Sequence, residues 1–243
     1  MELRYYLQPI RSAFGRFKRS RAFHPHCKKI GYISLLAVVI ACGQQNERKE
    51  QLKNTTSSKS APIVLMGNSI TQSWPDLRPQ FFSERAFINK GISGQTTSQM
   101  LQRFQRDVID LQPTAVVIMA GINDIAQNTG PIVVPAIAEN IFKMVELAKT
   151  HDIQVVLCSV LPADDFPAHP GMNPQVKVPK LNLLLQQYAK ANNLIYIDYF
   201  TPMADTDNGL KNEYGFDGVH PNRAGYAIME PLLLEGIALL QKK

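Results

Sequence analysis

The amino-acid sequence predicts an α/β protein with three layers, in which helices cover both faces of a central parallel sheet of about five strands. From about residue 61 onward, short apolar runs alternate with longer amphipathic segments. Residues 114–120 form a nearly continuous apolar run rich in β-branched side chains, which is typical of a strand buried on both faces. Parallel strands need crossover connections, so this alternation predicts helices on both sides of the sheet.

Five short apolar runs are the predicted strands. The run that ends at Gly67 is the first, and the second is the weakest because it contains polar residues. In chain order the predicted strands are residues 63–66, 86–89, 114–120, 153–158 and 194–197.

Four longer segments are the predicted helices. The first carries apolar residues at helical spacing, among them Met100, Phe104 and Val108. The last is expected to be capped by Asn222 and to be kinked or interrupted at Pro231. In chain order the predicted helices are residues 97–111, 132–150, 179–192 and 222–241.

The charge of the chain is concentrated at its N-terminus. The 243 residues have a formal net charge of +6, but residues 1–41 contain eight Lys or Arg and one acid, which leaves 18 basic and 19 acidic residues in the remainder. The rest of the chain therefore has a net charge of −1 and no basic stripe, and we do not expect it to bind nucleic acid.

The basic leader is typical of an export signal. Lys28 and Lys29 precede an apolar stretch over residues 30–41, which is too short to span a bilayer as a helix. This stretch ends at Cys42 and resembles a bacterial lipobox, although Val39 stands where Leu is usual. We therefore predict a lipoprotein-type leader over residues 1–42 and a membrane anchor at Cys42. An ordinary secretory signal is the alternative.

Residues 43–60 are polar and cannot build a core, so they are predicted to be a flexible tether. The folded domain is predicted over residues 61–243. If Cys42 is lipidated and Cys27 is removed with the leader, only Cys158 remains. It lies in an apolar run and is expected to be a buried free thiol.

Candidate functional residues follow three of the predicted strands. Ser69 follows the first strand, Asn123 the third and His220 the fifth. Ligands bind beyond the carboxyl ends of the strands in parallel sheets, so we expect these residues to share one site. A serine hydroxyl needs an adjacent base, which His220 can supply, and Asp217 can hold the imidazole in the required tautomer.

Four segments in this order resemble the SGNH (GDSL-type) hydrolase family over roughly residues 61–240, and most closely its platelet-activating-factor acetylhydrolase and lysophospholipase-like esterase branch. The resemblance implies that Ser69, Asp217 and His220 are catalytic. It also implies that the backbone N–H groups of Ser69 and Gly94 and the side-chain amide of Asn123 stabilise the oxyanion. The segments are Gly67-Asn68-Ser69, Asn89-Lys90-Gly91-Ile92-Ser93-Gly94, Gly121-Ile122-Asn123-Asp124 and Asp217-Gly218-Val219-His220-Pro221.

Each segment also has a structural interpretation. Gly67-Asn68-Ser69 could be a capped strand-to-helix turn, His220 could merely flank the last helix, and Asp124 is expected to be a structural cap. Asn68 departs from the family pattern, which has Asp, and this leaves the hydrogen bonding around Ser69 open. No His, Asp and Glu cluster has metal-ligand spacing, so we predict no metal and no cofactor.

Together these observations predict an exported, membrane-tethered serine esterase with a flavodoxin-like three-layer α/β/α fold. We expect it to remove short acyl groups, such as acetyl, from a small-molecule or glycan ester. A lysophospholipase or another lipid acyl hydrolase is the alternative within this class. A non-catalytic binding module on the same fold is the alternative of another class. The predicted location is the periplasm or the cell surface, with secretion as the alternative.

Overall fold

A computed structural model describes residues 62–166 and 168–240. The leader, the tether and Cys42 lie outside these residues. Five parallel strands form one sheet with the order β2-β1-β3-β4-β5. Their bounds are β1 Ile63–Gly67, β2 Phe87–Gly91, β3 Ala115–Met119, β4 Gln154–Cys158 and β5 Ile195–Ile197. The predicted fold class is confirmed.

Burial follows the position of each strand in the sheet. All five residues of the central strand β3 are buried, because β3 has a strand on each side and helices on both faces. The edge strand β2 is only partly buried along its whole length, which explains why its sequence is more polar. Cys158, at the end of β4, is a buried free thiol as predicted, and burial raises its pKa to about 12.

Eight α-helices connect and cover the strands within the described residues. Two 3₁₀ turns, Ile109–Leu111 and Asn212–Tyr214, add to them. The helices are α1 Ser69–Leu77, α2 Pro79–Ser83, α3 Thr97–Asp107, α4 Ile122–Ile125, α5 Val134–Lys149, α6 Pro174–Ala191, α7 Phe200–Met203 and α8 Arg223–Leu240. None of the helices in this part of the chain is long and apolar enough to cross a membrane.

Two helix predictions involve proline residues, and the predicted start of α6 is wrong. Helix α6 begins at Pro174 instead of Pro179, because Pro174 fits the first turn, where its missing N–H has no intrahelical role. Helix α8 runs through Pro231 without interruption. Pro231 is exposed, while Met229 and Leu233 on either side of it are fully buried, so core contacts hold the helix together across the proline.

Helices α1 and α8 meet although they lie at opposite ends of the domain sequence. The Tyr226 hydroxyl donates to the backbone carbonyl of Ile70 at 2.6 Å, and its ring stacks on Trp74 with 5.2 Å between ring centroids. The loop before α8 is thereby brought against the beginning of α1.

Helix α1 also crosses very close to the end of β2. A Cβ atom at Gly91 would lie 2.2 Å from the backbone nitrogen of Gln72 in α1, so only glycine fits there. This close approach places the beginning of α1 and the loop after β2 next to each other.

Candidate active site

Ser69 is the first residue of α1, directly after β1. Asn68 precedes it as the N-cap, and its side-chain oxygen accepts the backbone N–H of Ile70 at 3.0 Å. Asn68 is only 2% exposed. The hydrogen bonding that the sequence left open at Asn68 is therefore a helix cap, which an amide oxygen makes as well as a carboxylate would.

His220 and Asp217 lie on the loop before α8 and extend a hydrogen-bond chain from Ser69. His220 Nε2 lies 2.9 Å from Ser69 Oγ, and His220 Nδ1 lies 2.8 Å from Asp217 Oδ2. The other carboxylate oxygen of Asp217 accepts the backbone N–H groups of Val219 at 3.0 Å and His220 at 2.8 Å. The structure thus brings the three predicted catalytic residues together.

The environment of Asp217 favours its charged form. Burial acts to raise the pKa of the carboxyl, but the backbone and side-chain hydrogen bonds from His220 and the N–H of Val219 outweigh it, so the pKa is lowered overall. Asp217 is therefore ionised near neutral pH and can hold His220 with a proton on Nδ1.

The loop that carries Asp217 and His220 is fixed to α8 by Asn222. Its side-chain oxygen accepts the N–H groups of Ala224 at 2.8 Å and Gly225 at 3.1 Å, so Asn222 caps α8 as predicted. Its side-chain nitrogen donates to the carbonyl of Glu213 at 2.9 Å. This residue therefore holds both sides of the loop that carries Asp217 and His220.

The predicted oxyanion donors follow three adjacent strand ends. Gly67 of β1 is in register with Gly91 of β2 and with Met119 of β3. The segments that carry Ser69, Gly94 and Asn123 therefore leave the same edge of the sheet. The N–H of Ile92 donates to the carbonyl of Gly67 at 3.1 Å, and this bond joins the first two segments.

Asn123 joins the segment after β3 to the segment after β2. Its side-chain Nδ2 donates to the backbone carbonyl of Gln95 at 2.9 Å, which leaves the second Nδ2 hydrogen for another acceptor. Gly94, directly before Gln95, has a φ of +75°, a conformation that glycine adopts without strain. The N–H of Ser69 lies in the first turn of α1, where an N–H has no intrahelical acceptor.

Asp124 has a structural role. Its carboxylate accepts the backbone N–H of Thr97 at 2.8 Å and the Thr97 hydroxyl at 2.6 Å, so it anchors the beginning of α3, as the sequence predicted. Burial raises the pKa of Asp124, and the bonds from Thr97 oppose that effect.

Arg103 and its partner Asp107, two polar side chains near the site, were not predicted from the sequence. Arg103, on α3, is buried and contacts Asp107 and Gln95, and its guanidinium also reaches the ends of β1 and β2. A signal was present in the sequence, because Arg103 and Asp107 have i,i+4 spacing within the apolar stripe of α3.

In the residues that the structure describes, no group of three or more His, Cys, Asp or Glu is arranged to hold a metal ion.

Comparison with known proteins identifies the family. The model of the GDSL-like lipase/acylhydrolase family matches residues 65–228. The chain belongs to this family. The match includes Ser69, Gly94, Asn123, Asp217 and His220, and the predicted membership of the SGNH (GDSL-type) hydrolases is confirmed.

The crystal structure of a Bacteroides fragilis protein assigned as an acylhydrolase is similar to this GDSL-like chain. It is 41% identical, covers 76% of this chain and 90% of its own, and superposes with a TM-score of 0.73. Family membership identifies the chain as a hydrolase of carboxylic esters.

Two curated relatives match shorter segments. An uncharacterised lipoprotein of Bacillus subtilis, YqeF, is 35% identical over 78 residues, which are 31% of this chain and 32% of that protein. An arylesterase of Vibrio mimicus is 29% identical over 119 residues, 44% of this chain and 58% of the relative. This chain thus spans about a third of the first relative and somewhat over half of the second.

Proposed function

We propose that this chain is a serine esterase that acts through an acyl-Ser69 intermediate. The observation that carries the proposal is the hydrogen-bond chain from Ser69 through His220 to Asp217. A hydroxyl with a base at 2.9 Å and a carboxylate behind that base is the arrangement that activates a serine.

The reaction has two displacement steps. Ser69 Oγ attacks the ester carbonyl carbon and its proton moves to His220 Nε2, which gives a tetrahedral oxyanion. The alcohol leaves with that proton as the C–O bond breaks. A water molecule then attacks the acyl-serine, again losing a proton to His220. The carboxylic acid leaves and Ser69 Oγ regains the proton.

The oxyanion is proposed to bind the N–H groups of Ser69 and Gly94 and the free Nδ2 hydrogen of Asn123. Asn123 is held by Gln95 before substrate arrives, and Ser69 lies in a helix turn capped by Asn68. Donors fixed in advance stabilise developing charge without reorganisation in the reaction.

Short acyl groups on a carbohydrate are the proposed substrate class. Phe216, directly before Asp217, is 66% exposed, and an aromatic face beside the catalytic loop offers a platform for the apolar face of a sugar. The side chains of His220 and Asp217 are 44% and 47% exposed, so a bulky alcohol can reach them.

A groove at the end of α4, the short helix that carries Asn123, favours the second candidate, a lipid acyl hydrolase. It has a volume of about 820 Å³, and its apolar residues come from the end of α4, the loop that follows it and the beginning of α5. Lys177 and Lys180 form part of its wall, where they could bind an acidic headgroup. Its lining residues are Ile125, Gln127, Pro131, Ile132, Val133, Val134, Ala136, Ile137, Lys177 and Lys180.

Hydrolysis of p-nitrophenyl esters of increasing acyl length distinguishes the two substrate classes. We expect p-nitrophenyl acetate to be cleaved faster than p-nitrophenyl octanoate. Phe216→Ala should raise KM for an acetylated oligosaccharide about tenfold, because loss of one stacking contact removes about 1.4 kcal/mol of binding free energy. The same variant should leave KM for p-nitrophenyl acetate unchanged. Ala136→Phe, which fills the groove, serves as the comparison variant.

Faster cleavage of octanoate, with loss of that activity in Ala136→Phe, would instead establish the lipid acyl hydrolase. If the protein cleaved none of these esters while remaining folded, the non-catalytic binding module would be favoured.

We propose that the chain is an exported lipoprotein anchored through Cys42, with residues 61–243 as the hydrolase domain. The charged leader, the lipobox-like sequence and the similarity to a Bacillus subtilis lipoprotein support this proposal. Cys42→Ser is expected to move the protein from the membrane fraction to the soluble fraction, because it removes the only thiol in the lipobox-like sequence. Fractionation followed by immunoblotting measures this. Retention of Cys42→Ser on membranes would disprove the anchor.

A further inference from the structure

Arg103 is a buried cation at the edge of the sheet where the candidate active site lies. It is 7% exposed and donates from all three of its guanidinium nitrogens. Nη2 reaches the carbonyls of Gly67 at 3.1 Å and Lys90 at 2.8 Å, which are the ends of β1 and β2. Nη1 reaches Asp107 at 2.9 Å, and Nε reaches the Gln95 side-chain oxygen at 2.5 Å.

Gln95 links the Arg103 guanidinium to the two proposed oxyanion donors that lie outside α1, which are the Gly94 N–H and the Asn123 side-chain amide. Its side-chain oxygen accepts from Arg103, whereas its backbone carbonyl accepts the Asn123 side-chain amide at 2.9 Å. Gln95 also follows Gly94 directly in the chain. A shift of Gln95 would therefore displace the Gly94 N–H and the Asn123 amide together.

Asp107 compensates the buried charge of Arg103. A hydrogen bond from Arg106, opposed by burial and supported by the bond from Arg103, holds the pKa of the Asp107 carboxyl well below its usual range. Lys90 Nζ lies 3.7 Å from the same carboxylate. Asp107 thus stays charged, and Arg103 remains paired in the interior.

We infer that Gln95 and Arg103 are positioning residues that fix the two oxyanion donors Gly94 and Asn123 before the substrate binds. Because the Asn123 amide donates one hydrogen to the Gln95 carbonyl, the direction of its second hydrogen is fixed. The planar guanidinium holds four acceptors at once, which a lysine ammonium at this position cannot reproduce. This inference rests on the proposed function, because the oxyanion exists only if Ser69 attacks an ester.

The test uses Gln95→Met, since Arg103→Ala would remove a buried guanidinium that makes four hydrogen bonds at once and could unfold the protein. Gln95→Met keeps approximately the size of the side chain and removes its amide, whose oxygen is the acceptor for Arg103 Nε. Gln105→Met is the matched control, because Gln105 lies on α3, the helix that carries Arg103, and makes an exposed hydrogen bond to Asp110.

We expect Gln95→Met to lower kcat about tenfold with little change in KM, because the donors act mainly on the transition state. In an Asn123→Ala background the same substitution should lower kcat by a clearly smaller factor, since only the route through the Gly94 N–H remains. Gln105→Met should change kcat in neither background. A kcat within twofold of wild type for Gln95→Met, or an equal loss in both backgrounds, would overturn the inference.

A measurement without turnover separates this inference from the proposed function. In Ser69→Ala protein, the NMR signals of the Asn123 side-chain amide should shift or broaden when Gln95→Met is added and stay unchanged with Gln105→Met. Unchanged Asn123 signals in Gln95→Met would refute the positioning role even if the ester chemistry is correct. If the Asn123 signals changed in Gln95→Met but the wild-type protein cleaved no ester, the positioning role of Gln95 would be supported and the proposed esterase function would be excluded.

Discussion

Ser69→Ala is expected to lower kcat for ester hydrolysis roughly 10⁶-fold, and His220→Ala by a similar factor. Without the hydroxyl there is no acyl acceptor, and without the imidazole the hydroxyl, 2.9 Å from Nε2 in the intact protein, has no base. Asp217→Asn should cost about 10⁴-fold, because an amide cannot hold His220 with its proton on Nδ1.

Because the three residues act as one unit, the double variant Ser69→Ala with His220→Ala should be no slower than either single variant. Ser83→Ala is the matched control, since its hydroxyl is exposed and donates to the carbonyl of Gln80. The kcat values are measured with p-nitrophenyl acetate, and thermal unfolding verifies that each variant is folded. Activity retained in folded Ser69→Ala would exclude Ser69 as the nucleophile.

Asn123→Ala is expected to lower kcat by about 10²–10³-fold, which is the usual effect of losing one oxyanion donor. Asn123→Asp should be at least as damaging, because it keeps the shape but turns the donor into a charged acceptor facing both the oxyanion and the Gln95 carbonyl. A comparison of kcat and KM should show the loss in kcat.

Asn192→Ala provides the control for this prediction. Asn192 also donates its side-chain amide to one backbone carbonyl, that of Tyr188, but it lies at the end of α6. Its kcat should remain within twofold of wild type. If Asn123→Ala behaved like Asn192→Ala, the oxyanion would have to be stabilised without Asn123.

The sheet was predictable because its signal is local. The run at residues 115–119 is apolar throughout since β3 is covered on both faces, and each of the five strands was found to within about two residues. Helix α1, which contains Pro75, was not among the predicted helices. The short helices α2, α4 and α7 were also missed, because four or five residues carry too little periodicity to be distinguished from a loop.

The residues of the site were predictable by type and order, and the structure adds how they are held. The sequence placed Ser69 and His220 in one site, but it could not show that Asn68 caps α1 or that Asn123 rests on Gln95. The i,i+4 spacing of Arg103 and Asp107 was visible in the sequence. The main-chain carbonyls of two strands that Arg103 also binds leave no pattern in a sequence.

The bond between Tyr226 and Ile70 ties α8 to α1, and Ser69 and His220 are 151 positions apart. During synthesis, Ser69 leaves the ribosome long before His220 does. If these two residues act together as proposed, the nascent chain cannot hydrolyse esters until all five strands and the loop before α8 have been made. Onset of activity in a translation reaction would thus report completion of the fold, and stalled fragments that end before residue 217 would be silent.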